Sequence, residues 1–520
     1  MSTQKQQTAA IYDRWLYTLG GGEQVAFAYA ETLRDMGYKT SLITHKPIDR
    51  KNAEQKMGAD LTNIELKYVP EASSIELSEY SEQYSLFINT SYLDYFPNRS
   101  ETGILSVFFP GQIFLTPYEY FKRAFIIPSF RSFFIYPSRF EGFKFDEYQK
   151  GKIYKWLGKK SSILFNQAVS RFSISLYFET ITISVIDSIA FELEGVGQVY
   201  PLRKMQHTAN TVIFEFDVKI DSNTRFTIKL PELPYTEKIA VVGLTIPSWR
   251  YILYNVFKRI FPKWEMRLHG GPGVTRRADL ESYQKIITIS NFCQYWIKRY
   301  WGLKSDVLYP PVNTQNFFAS SAKKNHIIHI GRFFVTGHCK KQLDMVKVFK
   351  QLHTHPEAKD WELHFIGSIQ EGKKHLEYFQ QTQFEAEGYP VHFHTNISFT
   401  ELRNRLSEAK IYWHATGLDE HAEKSPILLE HFGITTVEAM ASGCVPVVIN
   451  AGGQKEIVSN ECGRLWNTRA ELIARTIELI RQPVLLNELS KTAQERSAHF
   501  SRDQFKLRFE QLLATTPTHS

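Results

Sequence analysis

Positively charged residues follow a short apolar segment in the second half of the chain. Gly331 and Arg332 come directly after the apolar run 327–330, and Lys340 and Lys341 follow at the start of a second apolar segment. If the run is a strand, Arg332 lies at its carboxyl end and the lysines begin a helix. Guanidinium offers a planar fork to phosphate oxygens, and ammonium a point charge. The spacing indicates a phosphate site; the alternative is an ordinary surface loop.

A second group of residues lies about a hundred positions later. Gly433 precedes a short apolar segment that Gly443 ends, which predicts a helix with free backbone amides at its beginning. Such amides bind phosphate. Glu430, just before the helix, is placed to accept hydrogen bonds from sugar hydroxyls, and Glu438, inside it, from a ribose. The predicted substrate-binding residues at this turn are Phe432, Gly433, Ile434 and Thr435.

Strands that alternate with helices must position these residues. Apolar segments at 40–44, 85–89 and 104–109 have the length of buried strands, and residues 25–36 have helical periodicity. The glycine loop Gly20, Gly21 and Gly22 precedes that helix. A second series of strands begins at residue 327. This pattern predicts an α/β protein of two Rossmann-like halves, with ligands bound in a cleft at the carboxyl ends of the strands.

The pattern of apolar and polar residues changes between residues 163 and 246. Segments there alternate apolar and polar residues at period two and are separated by turn-like pieces. This alternation is typical of antiparallel strands. We interpret the segment as a β module inserted into the amino-terminal half; the alternative is an elaborated edge of the same sheet.

The sequence therefore divides into five parts. These are an acceptor domain in two pieces, an inserted β-sandwich-like module, a donor domain and a terminal helix that returns to the first half. The predicted boundaries, in chain order, are 1–162 (acceptor domain, first piece), 163–246 (module), 247–310 (acceptor domain, second piece), 311–490 (donor domain) and 491–520 (terminal helix).

Composition favours a globular protein. The chain has 520 residues, of which 43% are hydrophobic and 22% charged. The first ten residues lack the apolar core of a secretory signal, and the chain has no apolar run of membrane-spanning length. The four cysteines are far apart in sequence, which favours reduced thiols. We expect a cytoplasmic protein, with attachment to the inner face of a membrane as a further candidate.

The net charge of +8 and a pI near 9.0 point to anionic partners. Residues 118–165 contain ten Lys or Arg, four Asp or Glu and fifteen aromatic residues, and 250–264 is a second such stretch. Basic and aromatic side chains together suit the headgroup zone of an anionic membrane surface. The alternative is a solvated face over a Phe-rich core. We expect no nucleic-acid partner, because the net charge is the only feature that would favour one.

No metal site is expected. The sequence contains no D-x-D, the usual carboxylate clamp for a metal diphosphate, so fixed cations must stabilise a departing diphosphate. His414, His421 and His431 lack the spacing of zinc ligands. His414 follows an apolar segment and is either a donor-binding or a structural residue. We expect neither a metal nor another cofactor.

The stretch from Glu430 to Glu438 resembles the E-x7-E signature of family 4 retaining glycosyltransferases, which have the GT-B fold. G-G-G-E near the amino terminus, Y-P-P-V-N at 309–313 and G-R-F-F before K-K-Q are similar to other parts of that family. F-I-N-T-S-Y at 87–92 and G-H-C-K-K-Q at 337–342 resemble lipid-linked-oligosaccharide mannosyltransferases. The resemblance covers most of the chain outside the β module.

This resemblance implies roles for single residues. Glu430 contacts the donor sugar, Glu438 the ribose, and Arg332 with Lys340 the diphosphate. Lys341 is the neighbouring candidate because the loop is about two residues longer than usual. Gly20, Gly21 and Gly22 supply amides near the diphosphate. Many relatives carry a histidine in the amino-terminal half, but the corresponding strand here reads L-S-V-F-F-P-G, so the acceptor side has no assigned residue.

The sequence thus predicts a retaining, metal-independent hexosyltransferase. Its donor is a nucleotide sugar, GDP-mannose or a UDP-sugar, and its acceptor a glycan or a lipid-linked acceptor. Two alternatives are a GT-B nucleotide-sugar epimerase and a non-catalytic glycan-binding protein on a transferase scaffold. Arg332, Lys340, Glu430 and Glu438 together favour the enzyme.

Overall fold

The structure is a computed structural model of the full chain. It describes residues 7–69, 74–111, 121, 125–149, 152–179, 183–231, 239–261, 277–335, 337–370 and 372–517. The chain forms two compact units. The first comprises Met1–Phe114 and Thr275–Ser520, and the second Leu115–Val274.

Strands and helices alternate at the beginning of the first unit. The strands are β1 (Thr8–Tyr12), β2 (Lys39–Thr44), β3 (Ile64–Tyr68), β4 (Leu86–Asn89) and β5 (Thr102–Val107). The helices are α1 (Glu23–Asp35), α2 (Arg50–Met57) and α3 (Ser74–Ser81). Helix α1 buries its apolar residues against the sheet, and Gly37 follows it with a φ of 91°, a left-handed conformation that ends the helix.

Antiparallel strands form the second unit. They are β6 (Pro137–Gln149), β7 (Lys152–Phe165), β8 (Val169–Phe178), β9 (Ala190–Leu193), β10 (Gly197–Val199), β11 (Arg203–Thr208), β12 (Thr211–Ile220), β13 (Phe226–Lys229) and β14 (Ile239–Thr245). The helices are α4 (Ile127–Phe133), α5 (Ile183–Asp187) and α6 (Trp249–Ile260). In β12 every second side chain is buried along most of the strand, and Phe172, Phe216 and Phe226 pack in the core.

The chain then returns to the first unit. Strands β15 (Lys285–Thr288) and β16 (Asp306–Val307), with helices α7 (Arg277–Glu281) and α8 (Asn291–Trp301), complete the first parallel sheet. The strand order of this sheet is β16-β15-β5-β4-β1-β2-β3.

A second parallel sheet follows within the same unit. Its strands are β17 (Lys324–Ile330), β18 (Glu362–Ile366), β19 (Val391–His394), β20 (Ala409–His414), β21 (Val445–Ile449) and β22 (Arg464–Trp466), in the order β19-β18-β17-β20-β21-β22. The helices are α9 (Gln342–Leu352), α10 (Lys373–Glu385), α11 (Phe399–Glu408), α12 (Ile434–Ala441), α13 (Gln454–Ile457), α14 (Arg469–Arg481), α15 (Pro483–Ser497) and α16 (Arg502–Ala514).

Helix α16 packs on the first sheet although it follows the second one along the chain. The rings of Phe505 and Phe509 lie 5.1 and 4.7 Å from the ring of Tyr29 in α1. The chain therefore passes between the two sheets twice. The crossings touch, because the Val312 amide donates to the Phe500 carbonyl at 2.9 Å.

The predicted fold class is confirmed: two parallel α/β sheets lie in one unit, and an antiparallel sheet interrupts the amino-terminal half. The sequence predicts the antiparallel segment at 163–246, whereas antiparallel strands already begin at Pro137. Strand β6 is irregular, since its register against β7 shifts three times, and this obscures the period-two pattern.

Among the described helices, none combines the length and the apolar character needed to cross a membrane. Part of the basic, aromatic stretch at 118–165 and of the one at 250–264 lies outside the described residues. The remainder falls on α4, β6, β7 and α6.

Candidate active site

A cleft of about 540 Å³ lies at the carboxyl ends of strands from both parallel sheets. From the first sheet it is lined by Asp13 after β1, by Phe108 after β5, and by Gly22 and Glu23 at the start of α1; the second sheet supplies Arg332, His338, Lys340, Glu430 and His431. Ligands of open parallel sheets bind at this end of the strands. The sequence-predicted cations and the first glutamate therefore share one cavity.

Lys340 and Glu430 form an ion pair in this cleft. Lys340 Nζ lies 2.6 Å from Glu430 Oε2, and His414 Nε2 lies 3.0 Å from the same oxygen. Burial alone would raise the pKa of Glu430, but Lys340 and His414 hold it well below its ordinary value. Glu430 is therefore an ionised hydrogen-bond acceptor at neutral pH.

His414 lies behind Glu430 at the end of β20. Its side chain is buried, its Nδ1 has no hydrogen-bond partner among the described residues, and burial lowers its pKa. The sequence leaves a donor-binding and a structural role open. The geometry favours positioning, because the imidazole contacts the carboxylate of Glu430 and does not line the cleft.

Arg332 is exposed at the mouth of the cleft. Its guanidinium contacts Gln370 at 3.2 Å and lies over the ring of Phe334. The loop beneath it is fixed from below by Gln342, which is fully buried and donates to the carbonyls of Gly331 and Arg332 at 3.2 and 3.1 Å. The guanidinium of Arg332 is therefore accessible to an anionic ligand, while hydrogen bonds from Gln342 fix the backbone of its loop.

The structure separates the two adjacent lysines. Lys341 adopts a left-handed conformation with a φ of 58° at the start of α9, and its Nζ pairs with Glu420 at 2.8 Å. Lys340 points into the cleft instead. The side chain beside Glu430 is therefore that of Lys340.

Helix α12 begins at the edge of the cleft. Gly433 precedes it with a φ of 125°, and a Cβ there would lie 2.2 Å from Gln454 Nε2, so no other residue fits. Gln454 accepts from Thr436 Oγ1 at 3.0 Å, while its buried Nε2 has no hydrogen-bond partner in the described part of the chain. The hydroxyl groups of Thr435 and Tyr412 lie 2.8 Å apart.

Phe432, by contrast, is a core residue. Its side chain is buried against Tyr309 and Phe500, with ring centroids 5.6 and 5.4 Å away. Only its backbone is available to a ligand. Of the predicted residues at this turn, Ile434 contacts the glycine loop, since a Cβ on Gly21 would lie 3.3 Å from Ile434 Cδ1.

Glu438 lies in α12 without a hydrogen-bonding or charged partner among the described residues. Burial raises its pKa to about 7. Glu438 is not among the residues that line the described cleft. A carboxylate that burial desolvates is costly to ionise unless a ligand satisfies it. It is therefore suited to accept hydrogen bonds from a vicinal diol.

The glycine loop closes the opposite wall of the cleft. Gly20 donates its amide to Glu23 Oε2 at 2.6 Å, and a Cβ at position 20 would require that carboxylate to move. Gly22 caps α1 and lines the cleft together with Glu23. A Cβ at position 21 would lie close to Ile434, whereas one at position 22 would make ordinary contacts with Phe108.

Asp13 is a cleft residue that the sequence does not reveal. It follows β1, is buried, and accepts from the Trp15 amide at 2.8 Å and from Thr90 Oγ1 at 3.0 Å. Burial, together with the charge of Glu23, raises its pKa to about 7. No motif marks this aspartate, because its function depends on where β1 ends.

His338 and His431 are further cleft residues without a sequence signal. Their rings meet edge to face at 4.3 Å, and His431 stacks on Phe109 at 4.4 Å. Burial lowers the pKa of both, that of His431 to about 3. Both are therefore neutral at physiological pH.

Two facing parallel α/β sheets with a cleft at the carboxyl ends of their strands define the GT-B class of glycosyltransferases. Sucrose-phosphate synthase from Thermosynechococcus elongatus has the same fold, with a TM-score of 0.51 over 98% of each chain at 13% identity. Structural similarity at this identity concerns the fold alone.

Residues 313–496 match the family model "Glycosyl transferases group 1", so this part of the chain is a domain of that family. Curated relatives named "GDP-Man:Man(3)GlcNAc(2)-PP-Dol alpha-1,2-mannosyltransferase" include one from Dictyostelium discoideum, 23% identical over 65% of this chain and 65% of the relative. One from Xenopus laevis is 28% identical over 29% and 30%. The chain thus matches at most 65% of the length of these two relatives.

Proposed function

We propose that this chain is a retaining glycosyltransferase that moves a mannosyl unit from GDP-mannose to a lipid-linked glycan without a metal ion. The observation behind the proposal is the ion pair of Lys340 and Glu430 beside the free amides of α12, in the cleft that Arg332 also lines. This arrangement offers cations for a diphosphate and an ionised acceptor for sugar hydroxyls.

In this proposal each wall of the donor site binds one part of the nucleotide sugar. Arg332 and Lys340 contact the diphosphate together with the amides at 433–435. Glu430 accepts from hydroxyls of the transferred sugar. Glu438, whose carboxylate has no partner among the described residues, accepts from the ribose.

The reaction breaks the bond between the anomeric carbon and the diphosphate oxygen, and the acceptor hydroxyl forms the new bond on the same face. Its proton passes to the departing phosphate oxygen. Negative charge grows on that oxygen in the transition state, so the fixed charges of Arg332 and Lys340 stabilise the transition state more than the bound donor. No protein nucleophile is required.

Asp13 is the candidate for the acceptor side. It lies in the same cleft on the first sheet, where the sequence leaves the acceptor-activating residue unassigned. With a pKa of about 7, its carboxylate can accept a hydrogen bond from an incoming hydroxyl near neutral pH.

Mannose as donor sugar and a lipid-linked acceptor are favoured by the printed names of the curated relatives. The helix α6 supports a lipid-linked acceptor independently. It exposes Trp249, Ile252, Leu253, Val256 and Ile260, which recur at helical spacing along one face. Lys258 and Arg259 lie in its last turn. An exposed apolar face bordered by cations suits an anionic membrane surface.

The direct test is transfer from GDP-mannose to a lipid-linked oligosaccharide by purified full-length chain. We expect an α-mannosidase-sensitive product, because the sugar is α-linked in GDP-mannose and retention preserves that configuration. A β-linked product would exclude a retaining mechanism. Transfer from UDP-sugars in place of GDP-mannose would overturn the donor assignment, and release of an epimerised sugar would favour the epimerase.

A further inference from the structure

Five polar side chains cluster on one face of the second sheet, away from the cleft. They belong to three adjacent strands, in which His326 pairs with Glu362 and His364 with His392. Side chains two residues apart share a face of a strand, so His394 lies on the same face. Arg332 and Lys340 follow the carboxyl end of β17, whereas His326, Glu362 and His392 lie at or near the amino-terminal ends of their strands.

Three imidazole nitrogens surround one carboxylate oxygen in this cluster. Glu362 Oε2 lies 3.1 Å from His364 Nε2, 3.2 Å from His392 Nε2 and 3.5 Å from His326 Nε2. Tetrahedral ligands at about 2.0–2.1 Å from a zinc ion are themselves about 3.3 Å apart. The ligand atoms of His326, Glu362 and His364 all lie within 4.8 Å of one another, and His392 approaches the same carboxylate oxygen from the neighbouring strand.

The histidine rings also pack closely against one another. His364 stacks with His326 and His392 at centroid distances of 4.2 and 4.7 Å and interplanar angles near 30°. Its Nδ1 contacts His394 Nε2 at 3.0 Å, the outer-shell contact that fixes the ring and tautomer of metal-binding histidines. Nε2 of His364 is then directed at the metal position.

Charged side chains of a neighbouring helix also approach the cluster. Arg405 and Glu401 of α11 pair with each other beside the cluster.

The position is accessible from solvent. Side chains of Glu362 and His392 are 41% and 44% exposed, whereas His364 is 7% exposed. An ion can enter from the exposed side while the buried imidazole holds it against the sheet.

We propose that His326, Glu362, His364 and His392 form a binding site for a divalent transition metal of the zinc class, with His394 as an outer-shell partner. The ion would connect β17, β18 and the edge strand β19. It would contact no donor-binding residue. Its role is stabilisation of the sheet, and the proposal is independent of the transferase activity.

Cobalt absorption and zinc titration test the site on tag-free, full-length protein that has been stripped with a chelator. We expect one equivalent of Co²⁺ to give the visible bands of tetrahedral coordination, and Zn²⁺ to displace it and raise Tm. The double variant His326→Asn/His392→Asn should weaken zinc binding by at least tenfold, the lower limit for perturbing a ligand shell.

The matched control is His353→Asn/His355→Asn, which removes two histidines outside the cluster in the same domain and should bind cobalt like the wild type. If the double histidine variant fails to fold, Glu362→Gln is the second site variant, because it retains a polar side chain of the same size. It should also weaken zinc binding. Absence of tetrahedral cobalt bands in the wild type would overturn the proposal. So would equal zinc affinity in the wild type, the site variants and the control.

Discussion

Lys340 and Lys341 are neighbours in sequence and have different environments in the structure. One pairs with Glu430 in the cleft and the other with Glu420. Sequence alone suggests that a cation is needed near this position, but it leaves both residues as candidates. The left-handed conformation of Lys341 turns the two side chains apart.

We expect Lys340→Ala and Arg332→Ala each to lower kcat by about tenfold to a thousandfold, because each removes a charge that stabilises the leaving diphosphate. Steady-state kinetics with GDP-mannose measures this, and circular dichroism checks folding. Lys341→Ala is the matched control and should retain most activity. If Lys341→Ala were impaired and Lys340→Ala active, the assignment would have to move by one residue.

Glu438 makes donor binding depend on pH. Its pKa of about 7 means that the carboxylate is mostly protonated at pH 6 and mostly ionised at pH 8. Ribose hydroxyls donate to the ionised form, so Kd for GDP-mannose should fall as pH rises through 7, by about tenfold over this range. Calorimetry at both pH values measures the effect.

The Glu438→Gln variant should lose this pH dependence. Its Kd for GDP-mannose at pH 8 should be about equal to that of the wild type at pH 6. The control is Glu420→Gln. Glu420 pairs with Lys341 and does not line the cleft, so the pH dependence of Kd should persist in this variant. A wild-type Kd that is equal at pH 6 and pH 8 would contradict the ribose assignment.

The site residues differ in how far sequence can predict them. Arg332, Lys340, Glu430 and Glu438 lie in motifs where charge and glycine spacing are visible. Asp13 is an ordinary polar residue that accepts from Thr90, which is distant in sequence, whereas Gln342 and Gln454 bind groups 10 to 18 residues away that no motif marks. The histidine cluster is similar: E-x-H and H-x-H become a site only when β18 and β19 pair in register.

At the scale of secondary-structure elements, helix α6 is unusual because many of its apolar residues are exposed. Its apolar residues at 249, 252, 253, 256 and 260 are exposed, whereas Tyr251 and Tyr254 are the buried ones. An amphipathic helix normally turns its apolar stripe toward the core. Helix α6 packs Tyr251, Tyr254 and Phe257 against the core and has a second apolar face that is exposed, as we expect of a helix that contacts lipid.

We expect the chain to sediment with anionic vesicles and to dissociate as salt rises, because cations near an anionic surface contribute about 1 kcal/mol each and are screened. Trp249→Ser/Ile252→Ser/Ile260→Ser should release the protein from vesicles without loss of fold. Tyr200→Ser/Leu202→Ser changes exposed apolar residues elsewhere in the same unit and is the control. Wild-type protein that stays in the supernatant at low salt would contradict membrane attachment.

The alternation of strands and helices in the two parallel sheets was accessible from periodicity, since buried parallel strands are short apolar runs. The beginning of the antiparallel sheet was not. Strand β6 contains register shifts and mixes two basic, three acidic and four aromatic residues, so its alternation is interrupted although it pairs with β7 along most of its length. Pairing partners, which sequence periodicity does not encode, determine that strand.

At the scale of the whole molecule, donor binding without a metal is the central expectation. Saturating GDP-mannose should stabilise the chain by about 2.7 kcal/mol at a hundredfold excess over Kd. The shift in Tm and the turnover should both survive excess EDTA, because fixed cations serve the diphosphate. Loss of turnover that Mg²⁺ or Mn²⁺ restores would contradict this mechanism.

The two chain crossings beside each other have a mechanical consequence. Val312 and Phe500 are joined by a backbone hydrogen bond, and Arg502 ties both crossings to the first sheet through Asn313 at 3.0 Å and Glu31 at 2.6 Å. A single connection would allow one sheet to rotate against the other, whereas two connections joined by a hydrogen bond restrict that rotation. We therefore expect any closure of the cleft to bring Lys340 and Asp13, which both line it, back to the same relative position.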